Sequence, residues 1–158
     1  MKVPEKKFSY SYLAGPVETK KELTTATEGN CRFALQLYFE EVHGLWLEKD
    51  QIYLPGGYKT LGKFIFEETE INWSELRPGD IIYAERLRNK NDKIVDQTLE
   101  RYSDKSEWIY NFHSAIYVGT ENGEHQIWHA THVANGPALW SREKFLYYYT
   151  HISAKRVL

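Results

Sequence analysis

The segment FHSAIYVGTENGEHQIWHAT, residues 112 to 131, constrains this chain more than any other, because an Asn122-Gly123 pair sits between two β-prone runs. Asn-Gly accepts the positive φ of a tight hairpin turn, so the pair predicts two antiparallel strands joined there. Upstream, in LRPGDIIYAERL, Pro78 and Gly79 make a turn that feeds the apolar run Ile81 to Tyr83, the pattern of a strand entering a sheet. The closing FLYYYTHISAKRVL reads as a terminal aromatic and β-branched strand.

A helix precedes these strands. Cys31, Ala34, Leu35, Tyr38 and Val42 recur at helical spacing, while Arg32, Gln36 and Glu40 fall on another face. Asn30 is the expected N-cap, and Gly44 lies just past the periodic end. Residues 1–29 read as an irregular lead-in belonging to the same domain, with a helical turn around Glu18 to Leu23, and residues 30–158 as its main body. LPGGYKTLGKF marks turns around a second short helix, and residues 87 to 107 are polar enough for a loop or an edge hairpin. Helix first and strands afterwards predicts an α+β domain, with N-terminal helices packed on a mostly antiparallel sheet.

With 158 residues, 42% of them hydrophobic, the chain can bury a core without disulfides or metals. Its net charge of -2 gives no basic footprint for nucleic acid, which is set aside as a partner. No stretch approaches the ~20 apolar residues of a membrane span, and the first residues lack the apolar centre of a signal peptide. The expectation is a cytoplasmic chain with no membrane span and no cofactor; its oligomeric state is left open.

The one cysteine, Cys31, cannot form an internal disulfide, so it is a core filler, a reactive group or an intermolecular link. At a helix N-terminus a thiol meets unpaired backbone N–H groups and the positive end of the helix dipole, which favour thiolate. A cysteine nucleophile needs a base and a group to orient it. Of the six histidines, His113 opens the strand HSAIYV and is the best base on position. His129, in IWHAT, can orient it from the next strand. Positions 113 and 129 differ by an even number, so they share a face only if the connection holds an odd number of residues or a bulge. His125, His129 and His132 fall within eight residues, but on a strand His129 and His132 point to opposite faces, and no metal site is expected. His43 and His151 read as surface or strand-edge residues, and Asp80 as a turn residue bonding its own backbone.

Taken in order, these segments resemble the NlpC and p-sixty family of papain-like cysteine peptidases. NCRFAL is similar to the family's cysteine-bearing helix start, LRPGDIIYA to its proline-glycine-aspartate strand, HSAIYVGTENGEHQIWHA to its two histidine strands and SAKRVL to its last strand. The resemblance runs from about residue 30 to the C-terminus. It implies a papain-like fold, Cys31 as nucleophile, His113 as general base and acid, and His129 as the residue orienting that imidazole. It further implies cleavage of an amide bond in peptidoglycan-derived peptides, so the expected partner is a peptide or other amide substrate such as a muropeptide. Asn30 and Arg32 stand where the family commonly has an acidic residue and a small serine, which makes both expected substrate-binding residues. Tyr10 or Tyr12 is expected to place a hydroxyl near the thiol as a second oxyanion donor. The same triad would equally serve an acyltransferase or a deamidase, and a catalytically inactive binding module would keep the fold without turnover.

Overall fold

The computed structural model describes residues 1–53, 61–67, 69–94 and 112–158. Asn30 starts the long helix α2 (Cys31–His43) as expected: its side-chain oxygen accepts from the Arg32 and Phe33 amides. The helix ends where Gly44 takes φ 64, a left-handed conformation that glycine adopts at little cost, and returns its N–H to the Glu40 and Phe39 carbonyls. In front of α2 stand β1 (Ser9–Tyr10), α1 (Lys20–Thr25) and β2 (Glu28–Gly29), with β1 and β2 paired in parallel. The lead-in is therefore partly regular, and Phe8 and Leu23 lie buried in the same cluster as Phe33.

After α2 come α3 (Lys49–Tyr53), β3 (Lys63–Glu67) and a 3-10 turn (Trp73–Glu75). The chain then runs through β4 (Ile81–Arg86), β5 (Phe112–Glu121), β6 (Glu124–Thr131), β7 (Gly136–Ser141), α4 (Arg142–Tyr148) and β8 (Tyr149–Arg156). The six larger strands form one sheet in the order β3-β8-β4-β5-β6-β7, every neighbouring pair antiparallel. The class is α+β with an antiparallel main sheet, as the sequence predicts.

Two cores sit on the two faces of this sheet. Phe33, Leu37 and Tyr38 of α2 pack on Ile81, Tyr83, Ile116, Trp128 and Ala130. The alternate residues Ile82, Ala84, Ala115, Tyr117 and Ile127 meet Trp140, Phe145 and Tyr149 on the other side. Burying a side chain such as Phe33 or Phe145 contributes about 1.5–3 kcal/mol, so both faces matter to stability.

Three sequence expectations are corrected. Phe145 to Tyr148 lie in α4, not in the last strand, because Ser141 caps that turn by accepting from the Lys144 amide and Phe145 is drawn into the second core. Gln36 does not sit on a polar outer face: it is fully buried, accepting from the Val17 amide and donating to the Val17 and Leu47 carbonyls. Strands β3 and β7 add to those expected. Most of the polar segment expected as a loop or hairpin lies outside the described residues; what is described holds an Arg88–Ile94 bridge.

Asp80 bonds its own turn as expected, its Oδ2 accepting from the Arg77 amide at 2.7 Å. It also holds Arg156 at two points, Nε to Oδ1 at 2.9 Å and Nη2 to Oδ2 at 2.8 Å, which ties the entrance of β4 to the end of β8. That second role has no local sequence signal.

Candidate functional site

Asn30 fixes the helix start from both sides. Its amide oxygen caps α2, its Nδ2 donates to the Tyr12 carbonyl at 3.0 Å, and its backbone N–H donates to the Ala14 carbonyl at 2.8 Å. Cys31 follows in the first turn, 6% exposed. Its carbonyl oxygen accepts from Ser114 Oγ at 3.2 Å, which docks the helix start onto β5.

The histidine pair forms because of one bulge. Tyr117 pairs with Ile127 but Gly119 pairs with Gln126, so Val118 is an extra residue on β5. The turn itself is a plain two-residue one, not the longer or bulged turn that a shared histidine face called for, with Asn122 at φ 52 and Gly123 at φ 80 between Glu121 and Glu124. The bulge restores the shared face that such a turn would deny. His113 Nε2 and His129 Nδ1 are 2.7 Å apart and hydrogen-bonded.

An aromatic box closes around the pair. Tyr149 stacks on His113 with ring centres 4.1 Å apart and planes 11° from parallel. Trp140 meets His129 edge to face at 4.5 Å, and Phe145 lies against both rings. The sequence offered no sign of these partners, since FLYYYT reads as a plain β-prone run. Burial, first, and then the nearby His129, Arg32 and His132 hold the His113 pKa well below its ordinary value. Burial pushes His129 down to about 3, helped by His132 and Lys144, and His132 to about 4, helped by Arg86 and Lys90. The bonded pair is thus uncharged at neutral pH.

The structure places the two halves of the expected triad differently from one another. Ser114 lies opposite Tyr83 and shares the face that carries α2, whereas His113 lies opposite Ala84 and turns to the aromatic face. His113 and His129 are brought together, and Cys31 is brought to the residue next to His113.

The flanking candidates divide as well. Both ends of the Asn30 side-chain amide are engaged in holding the helix start. Arg32 lays its guanidinium over the Tyr83 ring at 5.2 Å, and its Nη1 is buried with no hydrogen-bond partner among the described residues. The Tyr12 carbonyl accepts from Asn30 Nδ2 at 3.0 Å, which holds its backbone at the helix start. The Tyr10 ring lies 6.2 Å from that of His132.

His125, His129 and His132 go to three separate partners. His125 Nδ1 is 2.6 Å from the Tyr117 hydroxyl, and His132 Nε2 is 3.5 Å from Arg86 Nη1. Among the described residues no group of three His, Cys, Asp or Glu side chains is set to hold a metal ion. A hollow lined by Trp73, His125 and Arg142 lies roughly 13 Å along β6 from His129 and is separate from this centre. No helix among the described residues is long and apolar enough to cross a membrane. Searches of protein-family models, curated proteins and solved structures return no match to this chain.

Proposed function

We propose that the chain is a thiol hydrolase, a peptidase or amidase of the papain-like NlpC type, acting through Cys31, His113 and His129 on an amide such as a peptidoglycan-derived peptide. The observation that carries this reading is the His113–His129 hydrogen bond one residue from the contact that docks the Cys31 helix start. Adjacent Cα atoms are ~3.8 Å apart, so the backbone of His113, the second residue of β5, lies next to the Ser114 that docks the Cys31 helix start.

For His113 to act as base, its Nδ1 must be bare. Nε2 then carries the proton and donates to His129 Nδ1, and the proton of His129 sits on its Nε2, against the aromatic box. His113 would take the Cys31 proton as sulfur attacks the substrate carbonyl carbon. The oxyanion would meet the Cys31 backbone N–H, and collapse would expel the amine with the proton from His113. Water, giving its proton to His113, would then hydrolyse the thioester and free Cys31.

Burial of Cys31 favours a second reading, a binding module without turnover. The pH dependence of iodoacetamide alkylation separates the two. The hydrolase alkylates at Cys31 well below the ~8.5 of an ordinary thiol and loses this in His113→Ala; ordinary thiol behaviour indifferent to that substitution rejects the enzyme. Mass spectrometry after incubation with defined muropeptides tests the substrate, and an intact pool removes that assignment.

A further inference from the structure

We propose that Arg32 is the anion-recognition residue of this site, and that the substrate carries a carboxylate within a few bonds of the carbonyl that Cys31 attacks. The inference rests on the thiol-hydrolase reading and deepens it by naming a feature of the substrate.

The reason is an unanswered charge. Arg32 follows Cys31 in the first turn of α2, its guanidinium lies 5.2 Å over the Tyr83 ring, and its Nη1 is buried without a hydrogen-bond partner among the described residues. Arg32 as a whole is half-buried and the Tyr83 ring offsets part of the cost, but a buried Nη1 with no acceptor still bears the desolvation of a charged donor. Buried polar groups in folded proteins are nearly always paired, and an exception calls for a cause.

The helix does not supply the missing partner. One turn on, Gln36 is uncharged and spends its amide on Val17 and Leu47. One turn back, Glu28 is exposed in β2. Among the described residues no carboxylate makes an ion pair with Arg32. The Tyr83 ring meanwhile lies under the guanidinium carbon at 5.2 Å, a contact that uses none of the N–H donors, and those donors suit a planar, two-oxygen acceptor. A carboxylate arriving with the substrate would supply that acceptor beside the nucleophile.

The test compares two alkylating reagents on the full chain. Iodoacetate and iodoacetamide both transfer a methylene carbon to the Cys31 sulfur and release iodide, and they differ in carrying a carboxylate or a neutral amide. The iodoacetate-to-iodoacetamide rate ratio of native protein is divided by that of the same chain unfolded in urea, so any change in the thiol's own reactivity cancels. We expect a native ratio roughly tenfold above the unfolded one, the size of one charge-assisted hydrogen bond, falling to the unfolded value in Arg32→Gln and partly kept in Arg32→Lys. A native ratio equal to the unfolded one, or a raised ratio that survives Arg32→Gln, overturns the inference and leaves the hydrolase standing. A native Cys31 inert to both reagents overturns both. A second arm needs no variant: glutarate should slow iodoacetamide alkylation of the native protein where glutaramide does not, and equal protection by the two overturns the inference.

Discussion

His113 Nε2 and His129 Nδ1 are hydrogen-bonded at 2.7 Å although a two-residue turn joins their strands and their positions differ by an even number. Val118 reconciles these facts, and the bond it permits sets the first expectation. In His113→Ala, iodoacetamide alkylation of Cys31 at pH 6 should fall by roughly 10²-fold or more, the usual worth of a positioned base. At pH 10, where a thiol ionises unaided, the rates should converge. His129→Leu keeps the burial and removes the bond, so its pH 6 rate should lie between the two. Equal rates at pH 6 in all three proteins would remove the imidazole from the thiol chemistry.

Acid should unfold the protein through the same rings. A histidine whose folded pKa is depressed stays neutral while its unfolded counterpart takes a proton near pH 6.5, so stability is complete above that pH and falls as pH drops toward the folded value. His113 and His129 both qualify. Between pH 7.5 and pH 5 His129, held at about 3, should withdraw roughly 2 kcal/mol, with a loss in the same direction from His113 and a smaller share from the less buried His132. Urea midpoints across that range should fall steeply in the wild type and less in His129→Leu. A midpoint independent of pH would place both rings in water.

The Asp80–Arg156 pair predicts a structural effect away from the chemistry. Asp80 is 2% exposed and accepts from two Arg156 nitrogens and the Arg77 amide. Asp80→Ala strands these donors and should cost roughly 2–4 kcal/mol, read as a lower urea midpoint with an unchanged slope. A cost below about 1 kcal/mol would show that water screens the pair.

Gly29 links packing to the proposed nucleophile. A Cβ there would strike the Phe33 ring, which is fully buried against Phe8, so the ring must shift. Gly29→Ala should cost roughly 1–3 kcal/mol and lower the Cys31 alkylation rate, because Phe33 sits in the same first turns of α2. A stable variant with normal alkylation would separate the ring from the placement of Cys31.

The parts legible in the sequence were those governed by neighbours along the chain. Asn30 and Gly44 announce α2 because capping is local chemistry, and Asn122-Gly123 announces its hairpin for the same reason. Strand β7 was missed because Pro137 lies within it; as the last strand of the sheet it bonds only β6, and an edge tolerates a residue with no N–H. In α4, aromatic residues that favour strands are overruled by the packing of Phe145 against both histidines. The histidine pairing was legible only as a condition, that a bulge be present. The opposite faces of Ser114 and His113, and the box of Trp140 and Tyr149, depend on which strands become neighbours, and no local spacing carries that information.

Val118 makes the site sensitive to counting more than to chemistry. The bulge is defined by its backbone, so other apolar side chains that fit the core on the α2 face, where Val118 is buried, could fill position 118. Removing it would instead invert the strand ahead of it: His113 would turn toward α2, and Ser114, whose hydroxyl now holds the Cys31 carbonyl, would turn into the aromatic box. A lineage could therefore exchange one apolar residue for another here and still keep the histidines paired, whereas a single lost codon would part them.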